Sequence, residues 1–364
     1  MKQSRFMSRR DGVVVNRRRA LRALLSVMLS GSLDVHADTS SDSRTYPTYA
    51  PGTPLEGVVR IWGHGSLHAD YIGALVKSWA TGFGLHHPGV RFEVTLRGNG
   101  TALGGLYTGA ADVAIMDRAP LEIELDGYRS IQGSNPFEVS IATGSLDVPD
   151  HAAAPVVFVH RSNPLRKLTL AQLDAIIGAD HRRGAENIRR WGQLGLTREW
   201  ADAPIRVLAP AIHSDVSRFL QQLVMLGSQK WTDDLHEFDI DGRSYGPLKD
   251  VDQAITHALA KDRFGIAISS QIHGQSGVQA VSLAVTAHDS FISPTRQTVQ
   301  RRTYPLARSV SAFVNRSTTL PLEPRLAAFL RYVLSAEGQA LVGSDGGYLP
   351  LTQALARNEW SKLD

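Results

Sequence analysis

The residues of this chain best placed to do chemistry are Asp117 and Arg118, a charged pair that ends the apolar run 113–116, and the polar residues just before them. Residues 97–118 read RGNGTALGGLYTGAADVAIMDR. Gly98, Gly100, Gly104 and Gly105 strip side chains from a turn and the first turns of a helix, so backbone N–H groups can approach a ligand closely. Thr101 is expected at the helix N-cap, where its hydroxyl either caps the helix or joins the free amides in donating to an oxyanion at the positive end of the dipole. Ligands of open α/β sheets bind at the C-terminal ends of strands, which is where the Asp117–Arg118 pair falls. Read alone, the segment also fits an ordinary glycine-rich connection ending in a surface ion pair, since such turns are weak motifs.

Other groupings point to bond-breaking chemistry less well. His64 and His68, four residues apart, could bind a divalent metal with His213 across a cleft, but no Glu stands between them and the metalloprotease pattern is not met. A nucleophile could be Ser66 or Ser214 with His64 or His213 and Asp215. No G-x-S-x-G elbow occurs, and three adjacent residues such as His213, Ser214 and Asp215 cannot converge as a triad must. His86 and His87, beside Pro88, read as a surface turn, and the six tryptophans as core or lobe-edge residues, with Trp62 able to line a cleft.

The elements that must position these residues alternate. Residues 58–62 read as a strand running into Gly63-His64-Gly65-Ser66, followed by a helix with Tyr71, Leu75, Val76 and Trp79 on one face. A strand over 91–96 delivers the chain to the glycine-rich turn. PVVFVH, 155–160, is a buried strand, and Thr169 caps a helix carrying Leu170, Leu173, Ile176 and Ile177. Further strands are expected at 205–208, 263–269 and 311–315, and further helices at 251–259 and around Leu326 to Leu334. This alternation predicts an α/β fold.

Residues 1–37 read as a secretory leader: Arg17, Arg18 and Arg19 precede the apolar run 20–29, a small residue ends Val35-His36-Ala37, and the arginines resemble a twin-arginine signal. The apolar run is too short to anchor the chain in a bilayer. This leader holds eight of the 39 Lys and Arg and two of the 35 Asp and Glu, which leaves 31 basic against 33 acidic residues, a net charge of −2. The excess of basic residues in the whole chain therefore belongs to the leader and gives no nucleic-acid surface. Without Cys there is no disulfide, thiolate metal site or thiol nucleophile. Residues 38–56, rich in Ser, Thr, Pro and Tyr, read as a linker.

Several pieces together resemble one family. GNGTALGGL, the strand end ADVAIMD, HRSNPLRKLTLAQLDAII, FGIAIS, YPLAR and LSAEGQALVGSDGGYLPL are similar to the periplasmic phosphate-binding proteins of phosphate ABC transporters, within the type II periplasmic binding protein superfamily. The matches span about residues 58–352. The resemblance implies two α/β lobes, 57–150 with 308–364 and 151–307, hinged by two crossover segments and closing over an anion. It places Ser66, the Leu67 amide, Thr101, Asp117 and Arg118 in the first-lobe half of the site. Asp117 falls where some members carry an aspartate that accepts the proton of hydrogen phosphate, a group that would disfavour sulfate, which has no donor to offer.

The second-lobe half departs from the family. Leu208 or Ala209 stands where the family has arginine, and His213-Ser214-Asp215 where it has a Ser-Gly-Thr turn. Ser214 and the helix start can still donate, His213 adds charge when protonated, and Arg118 would supply the missing cation, while Asp215 adds repulsion. The function expected is a secreted, monomeric solute-binding protein, not an enzyme, without cofactor or metal. It takes a small oxyanion, phosphate first, and presents it to an ABC transporter permease without binding nucleic acid or entering the membrane. Two alternatives remain: a relative that has given up transport to act as a sensor or scaffold, and a metal-dependent periplasmic hydrolase.

Overall fold

A computed structural model describes residues 45–65, 71–148, 151–239, 250–270, 276–316 and 321–364; the leader read at 1–37 lies outside them. Buried strands alternate with helices that each cover one sheet face. In the first part these are β1 (Glu56–Gly63), α1 (Tyr71–His86), β2 (Gly89–Leu96), α2 (Asn99–Tyr107), β3 (Val113–Met116), α3 (Glu122–Gln132) and β4 (Phe137–Thr143). The chain continues through β5 (Val156–His160), β6 (Lys167–Thr169), α4 (Leu170–Ile177), β7 (Arg206–Pro210), α5 (Asp215–Leu223) and β8 (Leu235–Phe238). It goes on through α6 (Val251–Leu259), β9 (Gly265–Ser269), β10 (Val278–Ala280), β11 (Ser282–Ala284) and α7 (Arg296–Gln300). It ends with β12 (Ser309–Val314), α8 (Pro324–Leu334), α9 (Ala336–Asp345) and α10 (Gln353–Ser361).

Two five-stranded sheets result, with the orders β2-β1-β3-β12-β4 and β10-β5-β9-β7-β8. In the first, β1 pairs parallel with β2 and β3, while β12, arriving late from the other sheet, runs antiparallel to β3 and β4. In the second, β7 pairs parallel with β8 and β9, and β5 runs antiparallel to β9 and β10. Each sheet has its own core. Val59 and Ile61 meet Ile72, Leu75, Trp79 and Phe83 of α1 and Phe329 and Leu330 of α8, and the second core gathers Val157, Val159, Ile176, Trp191, Leu220 and Ile266. Burying such side chains contributes about 1.5–3 kcal/mol each, which explains why the strands read as continuous apolar runs.

The chain passes between the sheets twice, and the two passages lie side by side. Gly144 N–H donates to the Arg308 carbonyl at 2.9 Å, and the Arg302 guanidinium donates to Thr143 Oγ1, Ser140 Oγ and the Ala142 carbonyl. A Cβ on Gly144 would stand 2.1 Å from the Ala152 carbonyl oxygen, so the first passage needs glycine there. Tyr304, of the YPLAR motif, buries its ring and donates to the Pro155 carbonyl at 3.1 Å, fastening the second passage to the first.

Thr169 caps α4 as expected, accepting from Gln172 N–H. Two expectations fail at the front of the chain. Residues 45–55, read as part of a linker, pack on the first sheet's helices: Tyr46 donates to the Leu351 carbonyl at 2.6 Å, and Tyr49 is buried, its hydroxyl 2.7 Å from His87 Nε2. His87, read as a surface residue, is 1 % exposed, and its Nδ1 accepts from Leu55 N–H. Polar composition hid these contacts because two tyrosine rings, with both ends of one imidazole hydrogen-bonded, suffice to dock an otherwise polar segment.

Candidate functional site

The site is built where β1 and β3 end. Gly63, with φ 133°, turns the chain so closely over β3 that a Cβ would stand 1.9 Å from the Ile115 carbonyl oxygen, and His64 N–H donates to that oxygen at 2.7 Å. Only glycine permits this approach, and it sets His64 beside Asp117, the first residue beyond β3. Gly98 N–H donates to the Gly63 carbonyl, so the start of α2 is pinned to the same place. A Cβ on Gly105 would meet the Trp62 indole at 2.7 Å; this glycine makes room for the half-buried Trp62 ring packed on α2.

Asp117 is the centre. Its side chain is 4 % exposed, Oδ2 accepts from Arg308 Nη2 at 2.6 Å, and Oδ1 accepts from Asn99 Nδ2 at 2.7 Å. Asn99 returns the contact, its Oδ1 accepting Asp117 N–H at 3.1 Å. Burial pushes the Asp117 carboxyl up, but the Arg308 guanidinium, helped by His64, the Asn99 amide and Arg118, outweighs it and holds the group below its ordinary value. His64 Nδ1 stands 3.6 Å from the same carboxylate and Nε2 is 3.1 Å from the Tyr348 hydroxyl. Burial drives its pKa below the usual histidine value despite that carboxylate, so near neutral pH the imidazole is uncharged and Arg308 is the cation that matters.

The second sheet meets this centre through α5. Asp215, its first residue, accepts from Asn99 Nδ2 at 3.1 Å, and Phe219, one turn on, lies 5.6 Å from the Arg308 guanidinium carbon. Gln222 reaches across to donate to the Ala119 and Pro120 carbonyls at 3.1 and 2.9 Å. Arg118 is shut in, with no side-chain exposure; two 2.8 Å bonds tie it to Glu124, and among the described residues its Nε lacks a hydrogen-bond partner, standing 3.7 Å from Asp215 Oδ1.

The predicted residues fare differently. Asp117 and Arg118 lie at the strand end as expected, but the Arg118 guanidinium is committed to Glu124. Thr101 is not the N-cap: that is Gly98, and Thr101 Oγ1 donates to the Gly98 carbonyl at 3.0 Å. Helix α2 starts three residues earlier than expected, which gives Asn99 the position beside Asp117. Ser214 caps α5, its Oγ accepting Ser217 N–H at 3.2 Å. His213 is largely exposed, 3.8 Å from Asp239 Oδ1. Leu208 and Ala209, at the place of the expected arginine, are buried apolar residues of β7. Ser66, Leu67 and His68 lie outside the described residues.

Asn99, Arg308 and Tyr348 were not singled out in the sequence, and Asp215 was read as repulsion or as the acid beside a serine nucleophile, not as a partner of Asn99. Their signals were the GNG, YPLAR and GGYLPL motifs, seen as matches without roles. Among the described residues no cluster of three or more His, Asp or Glu could hold a metal, and no helix is long and apolar enough to cross a membrane.

The model of the PBP superfamily domain matches residues 72–337, most of the chain. The chain belongs to the PBP superfamily. Among curated relatives of this PBP-superfamily chain, the phosphate-binding protein PstS of Pseudomonas aeruginosa is 28 % identical over 300 residues, 82 % of this chain and 86 % of the relative. SphX of Synechococcus elongatus is 23 % identical over 265 residues, 72 % of this chain and 69 % of that protein. In fold the chain is similar to PstS from Borrelia burgdorferi, with a TM-score of 0.56 at 15 % identity over 81 % of this chain and 99 % of that one. It is likewise similar to an ABC-type phosphate transport receptor from Vibrio cholerae, with a TM-score of 0.52 at 17 % identity over 80 % and 99 %. The architecture is thus the two-lobed type II periplasmic binding protein fold with two crossover segments, and the relatives with assigned ligands are binding proteins.

Proposed function

We propose that this protein is a periplasmic solute-binding protein that captures phosphate between its two lobes and presents it to the permease of an ABC-type importer. The observation that carries the reading is the Asp117 carboxylate, buried, held ionised by Arg308 and Asn99, and facing the start of α5 from the other sheet. A carboxylate has about four acceptor positions, and two are used here. One remaining position accepts a P–OH proton; sulfate, lacking that proton, meets only repulsion. The name of the Pseudomonas aeruginosa relative, a phosphate-binding protein, supports the same ligand.

On this reading Asn99 holds Asp117 and Asp215 in place where Thr101 was expected to donate to the ligand, while Ser66 and the Leu67 amide complete the first-lobe half. Arg118, through its Nε, belongs to that same half, and the start of α5 with Ser214 and His213 forms the other. Lobe boundaries follow the two sheets, 57–150 with 308–364 and 151–307. Residues 1–37 direct export, and the protein acts as a monomer and carries out no catalysis. Ligand contacts from both lobes shift the population toward the closed form.

The test is calorimetric titration of the purified protein with phosphate and with sulfate. Heat with phosphate and none with sulfate is the expected result; neither heat nor a thermal shift at millimolar phosphate overturns the reading.

A second reading, a binding-protein relative serving as sensor or scaffold, has one observation in its favour: Arg118 and Arg308 are each already paired with a carboxylate. Recovery of a signalling protein, and no permease, in a pull-down would select it.

A further inference from the structure

One amide, Asn99 Nδ2, holds two carboxylates from different sheets, Asp117 at 2.7 Å and Asp215 at 3.1 Å. We propose that Asp215 sets the charge state of the ligand: the cleft takes a singly charged tetrahedral oxyacid with two O–H groups, the dihydrogen form of phosphate, and rejects the dianion. This inference rests on the reading of the cleft as a phosphate site.

The charges around the cleft carry the argument. Asp117 is matched by Arg308 and Glu124 by Arg118, so Asp215 is a carboxylate in excess, and no guanidinium comes from β7 to meet it. A dianion entering beside Asp215, whose side chain is 46 % exposed, would be repelled across a few ångströms, whereas a neutral O–H turned toward it gives a charge-assisted hydrogen bond. Asp215 has the capacity: Oδ2 accepts from Asn99, while Oδ1 stands 3.7 Å from Arg118 Nε, too far for a hydrogen bond. A second feature points to a ligand. Arg118 is 3 % exposed and, among the described residues, its Nε–H is an unpartnered donor on the Asp215 side, which an oxygen of the same ligand can satisfy. The pattern is two acceptors, Asp117 and Asp215, for two protons, and a donor, Arg118 Nε, for a further oxygen, with Asn99 spending both amide protons on holding the two carboxylates.

The other ionisable groups around Asp215 are His64 beyond Asp117, Arg118 and Glu124 opposite, and, on its own side, His213 with Asp239, Glu237, which accepts from Ile212 N–H, and Arg218 in α5. The two histidines are unchanged in an Asp215→Asn variant, so comparison with that variant isolates the carboxylate.

The experiment is titration of wild type and Asp215→Asn with inorganic phosphate on both sides of its second ionisation, at about pH 5.5 and about pH 8.5. Wild type should lose at least about twentyfold in affinity for total phosphate from the lower to the higher pH, following the fall in the monoanion, and Asp215→Asn, whose amide can donate to a dianion, less than about threefold. Should Asp215→Asn fold poorly by circular dichroism, Asp215→Ser serves in its place. Equal pH dependence in wild type and variant, or a wild-type affinity that is flat or rises with pH, overturns the inference while leaving the phosphate reading intact. No binding by wild type at either pH removes both.

Discussion

Asn99, in the first turn of α2, donates a 3.1 Å hydrogen bond to Asp215, in the first turn of α5, and the two sheets meet through it. The same Nδ2 donates to Asp117, so the side-chain amide is buried with both of its protons engaged and its oxygen taken by Asp117 N–H. A group satisfied on every side fixes geometry.

Asn99→Ala should therefore lower stability by about 1–3 kcal/mol in urea unfolding, because Asp117 N–H and Oδ1 are left without partners. It should also weaken phosphate binding by at least about tenfold. Thr101→Ala, which removes only a bond inside the first turn of the helix, should cost under about 1 kcal/mol and leave affinity within about threefold. Equal losses in the two variants would return the role to Thr101.

Asp117→Asn keeps the shape of the site but replaces an acceptor by a group that also donates. The ratio of phosphate to sulfate affinity should fall by about 10–100-fold, the range expected for one hydrogen bond to a charged group. Calorimetry with both anions measures it, and an unchanged ratio would show that Asp117 does not read the ligand's proton.

Arg308→Met leaves the Asp117 carboxylate buried without its cation. Stability should fall by about 3–5 kcal/mol, seen as a lower urea midpoint. Adding Asp117→Leu should recover most of that loss, since the cost lies in the stranded charge more than in the missing bond. Because Asp117 has its folded pKa below the ordinary carboxylate value, its contribution is complete above about pH 4 and is lost as pH falls through the folded value. The Arg308→Met variant should show a shallower acid limb.

His64 acts at milder pH. Burial lowers its folded pKa, so the unfolded chain takes up the proton first as pH drops below about 6.5, and stability declines from there downward. His64→Gln should remove that part of the decline in urea midpoints between about pH 7 and about pH 5. It leaves the part due to His87, whose pKa burial also lowers. An identical profile for variant and wild type would mean that His64 is not buried uncharged.

By itself the sequence determined the α/β alternation, strand β3 with Asp117 and Arg118 at its end, the Thr169 cap and the glycine-rich start of α2, because these follow from local apolar runs, caps and backbone freedom. Partnership across the chain was decided only in three dimensions. Arg308 reaches Asp117 from 191 positions away because β12 returns to the first sheet beside β3, and the Tyr348 hydroxyl reaches His64 from 284 away. Whether Asn99 or Thr101 faced the carboxylate turned on where α2 begins, a matter of three residues set by Gly98 being pinned to Gly63. Arg118 was expected to be the spare cation, yet the chain's turn into α3 hands it to Glu124. Residue type fixes what a side chain can do; packing decides which partner reaches it first, since a buried charge must be matched by whatever the fold brings within hydrogen-bond distance.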